Sequence, residues 1–340
     1  MKAVRVEEDG SISVVEMPVP RIGPGEALMK TRASGICGSD LLAWYVRKKA
    51  GTVLGHEVAG ELVEVGGAVE GFAPGARVAP HHHAACGECR ECRSGRAVHC
   101  RRWRASQLDP GGMAEFVRIP ADNLARDTLK VPPALTDEEG TFIEPLATVV
   151  KAFRRGRFTP SQSLLAVGLG TTGQLAIRLA NSEGASRVAG ADRVASRLAL
   201  AKGSGASELF DVSQEPLENQ IREPFDFVFV GPGKAHVLES ALAAVAPGGT
   251  LLAFTMASPE ERLTVSPHDL YFREIEFVPS YSAGPDDMRE ALALLAARRL
   301  DVADLVTHRF PIGRAREAFA RASDPEGSLK VLLTFEAGSE

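Results

Sequence analysis

Cys86, Cys89, Cys92 and Cys100 gather four of the chain's five cysteines into one short stretch. Thiolates at this spacing suit a closed tetrahedral zinc site. A disulfide framework is a poor alternative, because a 340-residue chain can bury an ample core without two bridges packed so close together. Iron–sulfur runs of similar opening end with three residues and a proline, whereas here seven residues precede Cys100 and Arg101 follows. His99 could compete as a ligand, but four thiolates already complete the shell. The remaining cysteine, Cys37, stands in Gly35-Ile36-Cys37-Gly38-Ser39-Asp40, ahead of Gly55-His56-Glu57. One soft and two harder donors suggest a second, open metal site where chemistry could occur. His81-His82-His83 raises the idea of a third; in extended chain neighbouring side chains face opposite ways, so only His81 and His83 should share a ligand. A polar loop leading into the zinc lobe is the expectation for that run.

A different chemistry is written in Gly168-Leu169-Gly170-Thr171-Thr172-Gly173. An apolar run precedes it and a helical pattern follows, so the turn should present backbone N–H groups to a pyrophosphate. Asp192, nineteen residues beyond Gly173, is placed to accept hydrogen bonds from an adenosine ribose, which favours NAD over NADP. Arg193 and Arg197 lie close enough in sequence to serve a 2′-phosphate instead.

The elements around these residues fall into two textures. Short strands broken by Gly and Pro fill the first third: 11–16, 26–33, 58–65, 77–80 and 114–119. A helix is expected over 138–153, and strands then alternate with helices: strands 164–167, 187–192, 225–230 and 250–255, helices 172–181 and 195–202. This predicts an α/β protein in which an antiparallel β domain is joined to a doubly wound parallel sheet. The expected domains are 1–149 with 286–340, carrying a zinc lobe at about 86–100, and 150–285 for the nucleotide. A strand at 330–335 should return to the first domain.

Charged residues make up 24% of the chain, hydrophobic ones 44%, and the net charge is −5. That balance carries no electrostatic footprint for nucleic acid. Residues 1–7 alternate like a strand and not like a signal peptide, and no apolar run is long enough for a bilayer. Thiolates kept for metal favour a reducing compartment, so the expected location is cytoplasmic.

Taken together, Gly35–Asp40, Gly55-His56-Glu57, the four-cysteine lobe, Gly111-Gly112-Met113-Ala114-Glu115-Phe116, Glu144-Pro145-Leu146 and Gly168–Gly173 resemble the zinc-containing medium-chain dehydrogenases, over about Val4 to Phe335. The likeness is greatest to the sorbitol-type polyol and sugar branch. It implies a GroES-like catalytic domain, a Rossmann domain and two zinc sites. Cys37 and His56 would bind the catalytic zinc, with Glu57 and Glu144 dividing the roles of third ligand and holder of its water. The implied reaction moves a hydride between a secondary alcohol and NAD through a zinc-bound alkoxide, with Ser39 relaying the proton. The resemblance also implies a homodimer or homotetramer acting on a small polyol, sugar or other secondary alcohol. A threonine 3-dehydrogenase-type enzyme is the alternative, and a non-catalytic nucleotide binder a more distant one. Two departures bear on substrate: Leu42 replaces a relay histidine, and Ser280-Tyr281 replaces an Arg-Tyr pair.

Overall fold

The computed structural model describes residues 1–335; the last five residues of the expected 286–340 segment lie outside it. The chain divides into two compact units, one formed by Met1–Ala147 with the segment from Ala283, the other by Thr148–Ser282. Among the described residues, no helix is long and apolar enough to cross a membrane.

The first unit is built on the strand Ala27–Gly35. Met29, Thr31 and Ala33 alternate onto its buried face, while Lys30 and Arg32 stay partly exposed. This strand pairs antiparallel with Glu57–Val65, Phe116–Ile119 and Lys330–Thr334. The sheet then continues through Arg77–Pro80 to Thr128–Lys130 on one side and through Val306–Pro311 on the other. The outermost pairing, Val306–Pro311 with Lys330–Thr334, is parallel, which the antiparallel expectation did not include. Ala27, Met29, Val58, Leu62, Val78 and Val117 pack one core against this sheet. Val4, Ile36, Leu54, Met113, Leu333 and Phe335 pack another next to Cys37. The pairing register sets Gly35 opposite Glu57 and Ser34 opposite Val58, so Cys37 and His56 leave neighbouring strand ends together.

The second unit is a six-stranded, all-parallel sheet. Its spatial order is 208–211, 187–192, 163–167, 225–230, 245–253, 276–279. Counted from the first strand, that is 3-2-1-4-5-6, the Rossmann order. Ser163–Val167 is buried along its whole length and Phe225–Val230 nearly so, as expected for strands covered on both faces. The order reverses between these two strands, and the glycine-rich turn follows the first of them. That is where open α/β sheets bind their ligands.

The helix expected over 138–153 is two elements. Asp137–Gly140 is capped by Thr136, whose hydroxyl accepts from the Glu139 N–H while the Glu139 carboxylate accepts from the Thr136 N–H. Ile143–Arg155 then starts afresh, with Glu144 in its first turn.

Candidate active site

The four-cysteine lobe is built of loop segments and short helical turns at Arg90–Arg93, Ala97–His99 and Arg101–Ala105. Its sulfur atoms converge: Cys89 to Cys92 is 3.5 Å, Cys100 to Cys86 3.6 Å and Cys86 to Cys92 3.9 Å. Zn–S bonds of about 2.3 Å give a tetrahedron with edges of about 3.8 Å, and no sulfur pair is bonded as a disulfide. Burial pushes the Cys100 thiol up, but backbone N–H groups of Cys86 and Trp103 outweigh it and bring it down to about 6. Cys100 thus favours thiolate before any cation arrives, while burial and then the Cys89 thiol push Cys92 up to about 12; the four-sulfur donor set fits zinc.

The Cys37, His56 and Glu57 donor atoms lie within 4.8 Å of one another. Cys37 precedes the turn Gly38–Leu41, which carries Ser39. His56 and Glu57 follow Gly55, whose φ of +102° and contact with the Gly112–Met113 backbone admit no side chain. Desolvation works against a charged His56, yet Cys37, Asp40 and Glu144 outweigh it and lift its pKa well above the ordinary value. The surroundings are anionic enough to call for a cation, and a soft-plus-hard donor set of this kind fits zinc.

Glu57 is 2% exposed and pairs with the equally buried Lys330, which also donates to the Ile36 carbonyl at 3.5 Å. Sequence patterning places Lys330 only at the start of the returning strand, Lys330-Val331-Leu332-Leu333, and a lysine opening an apolar run is its one signal of a buried role.

Glu144 belongs to a different group, with its carboxylate within 4.8 Å of His81 and His82 donor atoms. Burial raises its pKa, opposed by His56. Here the expectation for the histidine run fails. His82, and not His83, converges with His81 beside Glu144, because the strand ends at Pro80 and the chain bends at His82, which breaks the two-residue alternation. His81 Nδ1 meets Asp127 Oδ2 at 2.6 Å, with both side chains fully buried. His83 turns away, its Nδ1 hydrogen-bonded to the Ser106 carbonyl at 2.8 Å and its ring against Trp103. Burial, then the neighbouring His83 and His81, hold His82 well below the usual imidazole range.

In the second unit Gly168 has φ +85°, and a Cβ on Gly173 would strike the Gly168 carbonyl. Helix Thr171–Ser182 opens at once, bringing Thr171 and Thr172 to its N-terminus. Asp192 ends its strand, accepting from the Leu169 N–H at 2.6 Å and the Val194 N–H at 2.9 Å. Its carboxylate therefore also fastens the glycine turn. Arg193 is exposed. Arg197 Nη1 would lie 4.0 Å from a Cβ on Gly170, so its guanidinium sits beside the turn.

Comparison with known proteins agrees with this architecture. Residues 23–132 match the alcohol dehydrogenase GroES-like domain and residues 171–297 the zinc-binding dehydrogenase domain. The chain is 32% identical to D-altritol 5-dehydrogenase of Agrobacterium fabrum, covering 99% of this chain and all of the relative. It is also 32% identical to the sorbitol dehydrogenase of Mus musculus, over 96% and 94% of the two chains. A Sinorhizobium meliloti protein described as a zinc-binding dehydrogenase and solved with NADP superposes with a TM-score of 0.88, at 30% identity and 98% coverage of both chains. These matches and the convergence of the metal donors lead to one conclusion: the chain belongs to the zinc-containing medium-chain dehydrogenase family and is a zinc- and nicotinamide-dependent oxidoreductase.

Proposed function

We propose that the protein oxidises a secondary alcohol of a polyol or sugar with NAD⁺, or reduces the matching ketone. The convergence of Cys37, His56 and Glu57 beside buried Glu144 carries this reading. Full-length likeness to altritol and sorbitol dehydrogenases supports the substrate class.

Cys37 and His56 hold the catalytic zinc, and Cys86, Cys89, Cys92 and Cys100 hold a structural one. Bound zinc supplies the Lewis acidity that brings a substrate hydroxyl's pKa toward neutrality. Lys330 holds Glu57 back by balancing its charge, which leaves Glu144 to face the substrate side of the site. Ser39 Oγ accepts the hydroxyl proton and passes it to water, because Leu42 offers no acceptor. Gly168, Gly170, Thr171, Thr172 and Gly173 seat the pyrophosphate, and Asp192 takes the ribose hydroxyls and so selects NAD. Arg193 and Arg197 flank that end of the cofactor. The working form is a homo-oligomer: Glu276–Pro279 is an edge strand, with exposed Phe277 and Tyr281 near exposed Tyr271 and Phe272 in sequence.

The test is reduction of NAD⁺ and NADP⁺ across polyols, aldoses, diols and threonine, with and without chelator. Chelator-sensitive turnover of polyols or sugars is the expected result. Turnover of threonine alone, or none at all, would sink the proposal.

A further inference from the structure

Two buried ring nitrogens beside Glu144 lack a partner. Asp127 occupies His81 Nδ1, and Asn123 donates to the His81 carbonyl at 3.0 Å, so the ring is fixed and Nε2 is left unbonded. His82 Nδ1 is likewise buried without a hydrogen bond. Donor atoms of His81, His82 and Glu144 lie within 4.8 Å of one another, yet no hydrogen bond joins the carboxylate to either ring among the described residues. The His82 ring centroid is 5.1 Å from that of His56, so this group adjoins the metal donors. Leaving a buried polar atom unsatisfied costs about 1–3 kcal/mol, and such atoms call for a guest.

From this geometry we infer that His82, backed by His81 and Glu144, forms a subsite for a second hydroxyl of the substrate, on the carbon next to the one oxidised. The inference rests on the polyol reading above. A hydroxyl donates one hydrogen bond and accepts others, so it can donate to one acceptor of this group, the Glu144 carboxylate or the His81 Nε2, while accepting from the His82 ring. A compound with only one hydroxyl leaves the same nitrogens unpaired, and sites built to bond a hydroxyl discriminate against analogues lacking it. A further divalent cation is the competing guest for three such donors, and metal content separates the two.

The experiment measures kcat/KM of the zinc-loaded enzyme, its His82→Ala and its His82→Gln variants. Substrates are sorbitol, butane-2,3-diol and butan-2-ol, and zinc per chain is measured alongside. The ratio of kcat/KM for a diol or polyol over butan-2-ol should fall about tenfold or more in His82→Ala. His82→Gln, which keeps a donor and an acceptor, should recover part of the ratio. Equal losses on all three substrates would overturn the subsite, as would loss of a metal ion in His82→Ala. A third metal ion in the wild-type chain would overturn it in favour of a cation site. A wild-type enzyme that turns over butan-2-ol but neither polyol nor diol would remove the polyol reading and this subsite together. One that prefers polyols with a ratio indifferent to His82 would remove the subsite alone.

Discussion

Lys330 and Glu57 form an ion pair in which each side chain is 2% exposed. Removing one partner of a buried pair strands the other charge and costs about 3–5 kcal/mol. Lys330→Met should therefore lower unfolding stability by about 3 kcal/mol, while Glu57→Gln in the same chain should restore part of it. Urea unfolding of the two single variants and the double variant gives the coupling directly. Additive losses would mean that the charges do not depend on each other.

The two metal sites should separate under mutation. Cys92→Ser should release about one metal ion per chain and make the lobe around Arg90–Ala105 sensitive to protease, because a structural zinc contributes folding energy. Cys37→Ser should also lose about one ion, with activity abolished and the lobe still protected. Metal analysis with limited proteolysis distinguishes the two. A lobe equally sensitive in both variants would contradict the assignment.

Cofactor choice is expected to turn on Asp192. Asp192→Gly removes the carboxylate that would repel a 2′-phosphate, with Arg197 beside the turn. The ratio of kcat/KM for NAD⁺ over NADP⁺ should fall about tenfold or more. Since Asp192 also accepts from Leu169 and Val194, some stability should go with it. An unchanged ratio would show that the ribose is read elsewhere.

Acid sensitivity has a source at His83, which burial depresses to about 4, against an ordinary imidazole near 6.5. Between these values the unfolded chain binds the proton more readily than the folded one. Stability from this residue is thus fully present above pH 6.5 and lost as pH falls, a change of roughly 3 kcal/mol by pH 4. Urea unfolding at pH 7.5 and 4.5 should show a smaller pH dependence in His83→Phe, which keeps the packing against Trp103. An identical slope in both proteins would exclude His83 as the cause.

What the sequence made legible was local. The cysteine run, the glycine turn and the alternation of strands with helices are all spacing rules, and residues a few positions apart obey them. Lys330 was out of reach because its partner is 273 residues away, and only the pairing of Lys330–Thr334 with Ala27–Gly35 brings them together. His82 was misread for the opposite reason: the alternation rule was sound for a strand, but the strand stops at Pro80. The break at Gly140–Ile143 was hidden because helical periodicity spans both pieces, while the capping pair Thr136 and Glu139 marks only the first start.

Lys330's position gives the protein a temporal asymmetry during synthesis. Cys37, His56 and Glu57 leave the ribosome early, followed by the whole nucleotide-binding unit, and only then the strand bearing the ammonium group. Through most of translation Glu57 therefore lacks the ammonium group that balances it in the finished fold. The last strand to be made is the one that completes the charge balance beside the metal donors.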